Sequence, residues 1–271
     1  MDLRLEKQHA VIVGGARGIG WAIAEEFAQE GADVTIVDLS PQVSERASEL
    51  AASARDEGQR WRGFQADVTQ PSQVEAVFEQ LRLDQPPQHV VIAAGIGSGK
   101  FGFPFTNLSP SDWPKVVDVN LMGTVNVAHA VAGDLRACGD GSLTLISSVA
   151  GQIGSQTDPP YSAAKAAVIN FGQCMAKDLA AYGVRVNTIC PGMIKTELNE
   201  SVWKAWHDSQ APEDRLDYET WAGSKVRSVV PLQRWQTPQD IAALAVFLAS
   251  PRGRNITGQT MNVDGGFVMH W

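Results

Sequence analysis

The chain has 271 residues, 44% of them hydrophobic and 19% charged, with 30 Asp and Glu against 22 Lys and Arg for a net charge of −8. That balance excludes the basic footprint that nucleic acid or an anionic membrane surface requires. The composition is that of a soluble globular protein with enough chain for one large core.

The opening residues, MDLRLEKQHAVIVGG, hold no apolar h-region and run straight into a strand-like stretch, so no secretory leader is expected. HAVIVG is followed by the helical pattern GWAIAEEFAQEG, and DVTIVD by a polar helix predicted from Pro41 to about Glu57. The alternation continues through RWRGFQAD, VEAVFEQL, HVVIAAG, the segment Ser109 to Val131, SLTLISS, a helix carrying Tyr161, and VRVNTIC. Nearly continuous apolar strands alternating with helices predict a parallel α/β sheet covered on both faces. Residues 197–231 break the rhythm as a long insertion before a closing helix (Thr237 to Ser250) and a last strand (Thr260 to Val263). The most apolar helical stretch, IAALAVFLA (241–249), is too short to span a bilayer, so no membrane contact is expected. Cys138, Cys174 and Cys190 are scattered without metal spacing and read as reduced thiols of a cytoplasmic protein.

The first strand ends in GGARGIG, with Gly14, Gly18 and Gly20 opening a helix. Glycines there let the chain turn tightly and let a pyrophosphate reach main-chain N–H groups at the helix N-terminus. Between a strand and a helix, this loop points to a Rossmann-like dinucleotide site. The second strand ends at Asp38, placed to accept bonds from the adenosine ribose hydroxyls and to repel a 2′-phosphate. Leu39 and Ser40 add no compensating charge, which favours NAD, whereas Arg17 within the loop could meet a 2′-phosphate or pair with Asp38. In PPYSAAK (159–165), Tyr161 and Lys165 stand four apart and share a helix face. If charge proximity outweighs desolvation, the ammonium would lower the phenol from about 10 by roughly 1 to 3 pH units.

GGARGIG, YSAAK and their order resemble the short-chain dehydrogenase/reductase family over residues 8–267. The resemblance implies a doubly wound sheet of about seven strands, with residues 1–271 forming a single dinucleotide-binding and catalytic domain and 197–231 a substrate lid. It also implies a tetrad of Asn120, Ser148, Tyr161 and Lys165, Ser148 being chosen over Ser147 because it lies thirteen residues before the tyrosine. In that scheme Tyr161 is the general acid/base, Lys165 holds the nicotinamide ribose and lowers the phenol, Ser148 positions the substrate oxygen, and Asn120 holds a water joining Lys165 to solvent. The implied cofactor contacts are Gly14, Arg17, Gly18, Ile19, Gly20, Asp38, Leu39, Asp67, Val68, Ala94, Gly95, Tyr161, Lys165, Pro191, Ile194 and Thr196, with no metal. Val13, where the family often has threonine, and IAAG (92–95), where it often has NNAG, imply altered hydrogen bonding around the cofactor.

Trp203, Trp206, Tyr218, Trp221 and Trp235 could roof a pocket for a ring or sugar, or pack the lid onto the body. His207, Lys204, Arg227 and Arg234 are weaker candidates for substrate contact, and Asp208, Glu213, Asp214, Asp217 and Glu219 read as a solvated face. Trp271 is placed at a subunit interface, since family members are commonly tetramers or dimers. The expected activity is NAD-dependent hydride transfer with a secondary alcohol or ketone, cyclic or polyhydroxylated. The alternatives are an NADPH-dependent carbonyl or 3-oxoacyl reductase, and a non-catalytic dinucleotide sensor.

Overall fold

In the computed structural model, residues 3–155 and 157–269 are described; Trp271, expected at an interface, lies outside them. In chain order the elements are β1 (His9–Val13), α1 (Gly18–Gln29), β2 (Asp33–Asp38), α2 (Val43–Ser48), β3 (Trp61–Gln65), α3 (Pro71–Asp84), β4 (His89–Ile92), α4 (Pro114–Val117), α5 (Gly123–Cys138), β5 (Ser142–Ile146), α6 (Ala150–Ile153), α7 (Pro159–Leu179), β6 (Arg185–Pro191), α8 (Glu197–Ser209), α9 (Tyr218–Val229), α10 (Pro238–Ala249) and β7 (Thr260–Val263). The strands of the described residues form one parallel sheet of seven in the order β3-β2-β1-β4-β5-β6-β7. The order reverses between β1 and β4, which opens a crevice at the carboxyl edge where doubly wound sheets bind ligands.

Strand side chains alternate between two cores. Ala10, Ile12, Val34 and Ile36 face α1, α2 and α10 through Ile23, Phe27, Ala47 and Ile241. Val11, Val13, Val37 and Val90 face α3, α5 and α7 through Phe78, Leu135 and Val168. Both faces are therefore dry, as the unbroken apolar runs require. Arg185 at the foot of β6 is buried, and its guanidinium donates to the Leu248, Ala249 and Gly253 carbonyls, satisfying the C-terminus of α10.

Three elements differ from the sequence reading. The helix expected to run from Pro41 to about Glu57 stops sooner, passing from α2 into a 3₁₀ turn over Glu49–Ser53, with Ala54 extended. The Gln59 side chain ends it: its oxygen accepts the Arg55 and Asp56 N–H groups at 2.6 and 2.9 Å, and its nitrogen donates to the Ala28 and Ala32 carbonyls, both at 2.8 Å. The stretch expected from Ser109 to Val131 continues to Cys138 and contains a π-turn at Asp118–Met122. The 197–231 insertion folds as α8 and α9, capped by Thr196 and Asp217. No helix among the described residues is long and apolar enough to cross a membrane.

Candidate active site

Gly14 has φ +80°, and a Cβ there would stand 2.5 Å from the Ala94 nitrogen, so only glycine lets β1 and the end of β4 close together. Gly20 would drive a Cβ to 2.0 Å from the Gly14 oxygen, whereas Gly18, at the start of α1, faces open space. Arg17 is exposed at the α1 N-cap, and Ile19 packs on the core beneath. Asp38 ties the loop down: one carboxylate oxygen accepts Ala16 N–H at 3.0 Å and the other accepts Ser40 N–H at 3.0 Å. Leu39 is exposed beside it. Asp67 accepts the N–H and hydroxyl of Thr69, and the Val68 carbonyl accepts Asn126 Nδ2 at 2.8 Å. The Val13 carbonyl accepts Ala93 N–H at 2.8 Å, so the segment reading IAAG keeps a backbone tie to β1.

Across the crevice, β5 delivers two serines with different fates. Ser147 is buried and donates to the Lys165 carbonyl at 2.8 Å, whereas half-buried Ser148 hydrogen-bonds the Tyr161 phenol. Tyr161 sits in the first turn of α7, where Pro159 and Pro160 need no N–H partner and Asp158 caps. Lys165, one turn on, is 3% exposed and donates to the Ile146 carbonyl at 2.9 Å. Its ammonium lies 5.6 Å from the Tyr161 ring centre. Asn120 lies in the π-turn; its Nδ2 donates to the Ile96 and Val116 carbonyls at 2.8 and 2.9 Å. Its Oδ1 is buried with no partner. A Cβ on Gly95 would meet that oxygen at 2.7 Å and Lys165 Nζ at 3.2 Å, so both border the space glycine leaves.

The expected lowering of the phenol by Lys165 is not what this arrangement gives. Burial pushes Tyr161 up to about 12; the Ser148 hydrogen bond opposes this, while the Asp158 and Cys190 charges add to it. Burial also pulls Lys165 down to about 8, partly offset by Cys190. Desolvation dominates because both groups are buried and the ammonium bonds a neutral carbonyl.

After β6, the Pro191 carbonyl accepts Val149 N–H, buried Ile194 bridges to Gln236, and Thr196 caps α8. Lys195 pairs with Glu219 on α9 at 2.8 Å. Most of the aromatics of the 197–231 segment knit helix to helix. Trp203 donates to the Leu216 carbonyl and meets Tyr218 edge-on at 5.8 Å, and Trp206 lies 5.9 Å from buried Trp221. Tyr218 donates to Asn199 at 2.9 Å and lies 6.4 Å from Trp235. The His207 ring lies 5.1 Å from that of Trp203, tilted by 50°, and its Nδ1 is 3.2 Å from an Asp208 carboxylate oxygen. Lys204, Arg227 and Arg234 are exposed.

Sequence reasoning missed Asp158. This buried carboxylate accepts Ser98 N–H at 2.7 Å and Tyr161 N–H at 3.4 Å, joining the loop after β4 to the helix carrying the phenol. Its signal was legible, since aspartate before Pro-Pro is an N-cap pattern. Gln236 was missed too, and no motif marks it. Among the described residues no cluster of His, Cys, Asp or Glu could hold a metal, and the three cysteines are free.

Comparison with known proteins places this geometry among oxidoreductases. A family profile described as Enoyl-(Acyl carrier protein) reductase matches residues 14–268. The mouse (3R)-3-hydroxyacyl-CoA dehydrogenase is 34% identical over 275 residues, covering 99% of each chain. D-threitol dehydrogenase of Mycolicibacterium smegmatis is 31% identical over 269 residues, covering 99% of this chain and 95% of its own. The crystal structure of L-sorbose reductase from Gluconobacter frateurii, complexed with NADPH and L-sorbose, superposes with a TM-score of 0.89 at 28% identity, covering 100% of both chains.

Proposed function

Because the chain belongs to the short-chain dehydrogenase/reductase family of oxidoreductases, we propose that it transfers hydride between NAD(H) and a secondary alcohol or its ketone, with Tyr161 as general acid/base. The observation that carries this is the convergence of the Ser148 hydroxyl, the Tyr161 phenol and the Lys165 ammonium at the crevice, with the unpartnered Asn120 oxygen beside them.

The residues fit a dinucleotide: glycines 14, 18 and 20 shape a cradle that a Cβ at Gly14 or Gly20 would fill, and Gly18 leaves its own side open. Gly14, Arg17, Gly18, Ile19 and Gly20 would hold the pyrophosphate side, with Asp38 and Leu39 at the adenosine ribose and Asp67 and Val68 at the adenine. Ala94, Gly95, Tyr161, Lys165, Pro191, Ile194 and Thr196 would hold the nicotinamide end. When bound, the dinucleotide supplies or accepts the hydride.

Tyr161 Oη takes the alcohol proton in oxidation and returns it to the ketone oxygen in reduction. A phenol near 12 is fully protonated at neutral pH, the form that reduction needs. Lys165, near 8, is about nine-tenths charged at pH 7 and would hold the nicotinamide ribose hydroxyls, while burial of the phenol opposes the phenolate that oxidation needs. Ser148 Oγ bonds the same substrate oxygen and fixes its position. The buried, unpartnered Asn120 oxygen would hold a water beside Lys165, through which a proton could leave.

Asp38 supports NAD, because its carboxylate sits at the end of β2 where a 2′-phosphate would be repelled. The NADPH-reductase reading is favoured by Arg46, whose guanidinium lies 3.6 Å from the centre of the Trp21 ring and donates to the Ala16 carbonyl next to Asp38. A polyol or sugar substrate is supported by the threitol and sorbose enzymes among the relatives. The 197–231 segment acts as the substrate lid of a single domain. A homo-oligomer, tetramer or dimer, rests on family membership, and a cytoplasmic location on the free thiols. The test is NAD⁺ and NADP⁺, separately, against cyclic alcohols, polyols, sugars and hydroxy acids. Reduction of NAD⁺ by any of them supports the reading, and tight NADH binding with no turnover across the panel favours the sensor.

A further inference from the structure

Residues 191–194 leave the carboxyl end of β6 and turn into α8. Two backbone bonds fasten them: Gly192 N–H donates to the Val263 carbonyl at 3.0 Å, and Gln236 N–H donates to the Met193 carbonyl at 3.1 Å. The Gln236 side chain closes the loop. Its Oε1 accepts Met193 N–H at 2.9 Å, and its Nε2 donates to the Arg234 carbonyl at 2.9 Å. This residue is 6% exposed, and its amide is threaded between two glycines. A Cβ on Gly192 would stand 2.7 Å from Oε1, and one on Gly265 would stand 2.8 Å from Nε2.

The amide joins chain on either side of the 197–231 segment, Met193 before it and Arg234 after it. One end leaves from Ile194, which bridges to Gln236, and the other returns through Val230, whose carbonyl accepts Gln233 N–H. Just beyond, the Thr237 capping box fixes the start of α10, so the amide projects from an anchored point. These bonds are part-buried, and losing them leaves the Met193 N–H and the Arg234 carbonyl without their side-chain partner.

We propose that Gln236 is a positioning residue that clasps the chain on either side of the 197–231 segment and thereby fixes the Gly192–Ile194 backbone for the dinucleotide. The inference rests on reading residues 191–196 as cofactor-facing. Gln236→Ala removes the amide, and Gln236→Met keeps its volume but neither hydrogen bond. Amide hydrogen exchange at Met193 and NADH affinity by fluorescence are measured for both variants and the wild type. In both variants Met193 should exchange about tenfold faster and the NADH Kd should rise about tenfold, with exchange at Ala10–Val13 of β1 unchanged. Three results would overturn the proposal: a Met variant that behaves like wild type, exchange accelerated equally in β1, or faster Met193 exchange with unchanged NADH affinity. A wild type that binds neither NADH nor NADPH would overturn the cofactor reading instead. Met193 exchange, which needs no ligand, tells that failure from failure of the clasp.

Discussion

At Tyr161 two effects act on one proton: burial holds the phenol near 12, and the Ser148 hydrogen bond pulls against it. Removing that bond in Ser148→Ala should move the alkaline rise of alcohol oxidation to higher pH and lower kcat by about 10²-fold, as read from kcat–pH profiles. An unshifted profile would place Ser148 outside the proton path. In the proposed reading Asp38 sets the dinucleotide preference. In Asp38→Ala the KM for NAD⁺ should rise about tenfold while NADP⁺ becomes usable, because two loop N–H groups lose their acceptor and the charge facing a 2′-phosphate disappears. The sequence reading proposed Ser148 through the family resemblance, whose serine lies thirteen residues before its tyrosine, and Asp38 through its place at the end of the second strand. The direction of the phenol's shift was not legible there, because desolvation depends on how deeply α7 packs rather than on which residues stand four apart.

The two helices of the 197–231 segment owe their union to aromatic side chains. Trp221 is buried between Trp206, 5.9 Å away, and the Lys225 ammonium, 4.0 Å from the Trp221 ring centre. Trp221→Ala should cost about 3 kcal/mol in denaturant unfolding, whereas half-buried Trp203 should cost less. Equal losses would mean that the two rings do not differ in packing. The three-residue spacing correctly put Trp203 and Trp206 on one face. Whether that face roofs a pocket or meets a second helix depended on the path of α9, which turn chemistry and not periodicity sets. Asp158 belongs to the same scale: as the α7 cap and the anchor of Ser98, it couples a loop to the phenol's helix through contacts 60 residues apart in sequence.

Across the whole molecule the parallel sheet was legible in its strands, whose mostly apolar runs call for helices on both faces; the family resemblance implied a doubly wound sheet of about seven strands, and their order is read from the structure. Two buried histidines at the foot of β1 and β4 make the assembled sheet sensitive to acid. His9 bonds Thr35 and the Gln85 carbonyl, and His89 bonds Ser142 and Gln8. Burial pulls them down to about 4 and about 3, helped by the Arg62 and Arg185 charges respectively. The unfolded chain takes up these protons near 6.5, so this stabilisation is complete above that pH and is lost as pH falls toward the folded values. Urea unfolding at pH 5 should therefore show a few kcal/mol less stability than at pH 7, and His9→Gln should reduce the difference. A difference that His9→Gln leaves unchanged would mean other groups govern it. Neither histidine stood out in the sequence, because burial at a strand's foot is a property of the assembled sheet.

The proposal that an alcohol gives its hydride to NAD⁺ while Tyr161 takes the hydroxyl proton is tested most directly by absorbance near 340 nm, in wild type and Tyr161→Phe, against the alcohol and polyol panel. We expect turnover by the wild type with NAD⁺ and a loss of about 10²-fold or more in the variant, with NADH affinity nearly intact. A variant that keeps most of the wild-type rate would contradict the account.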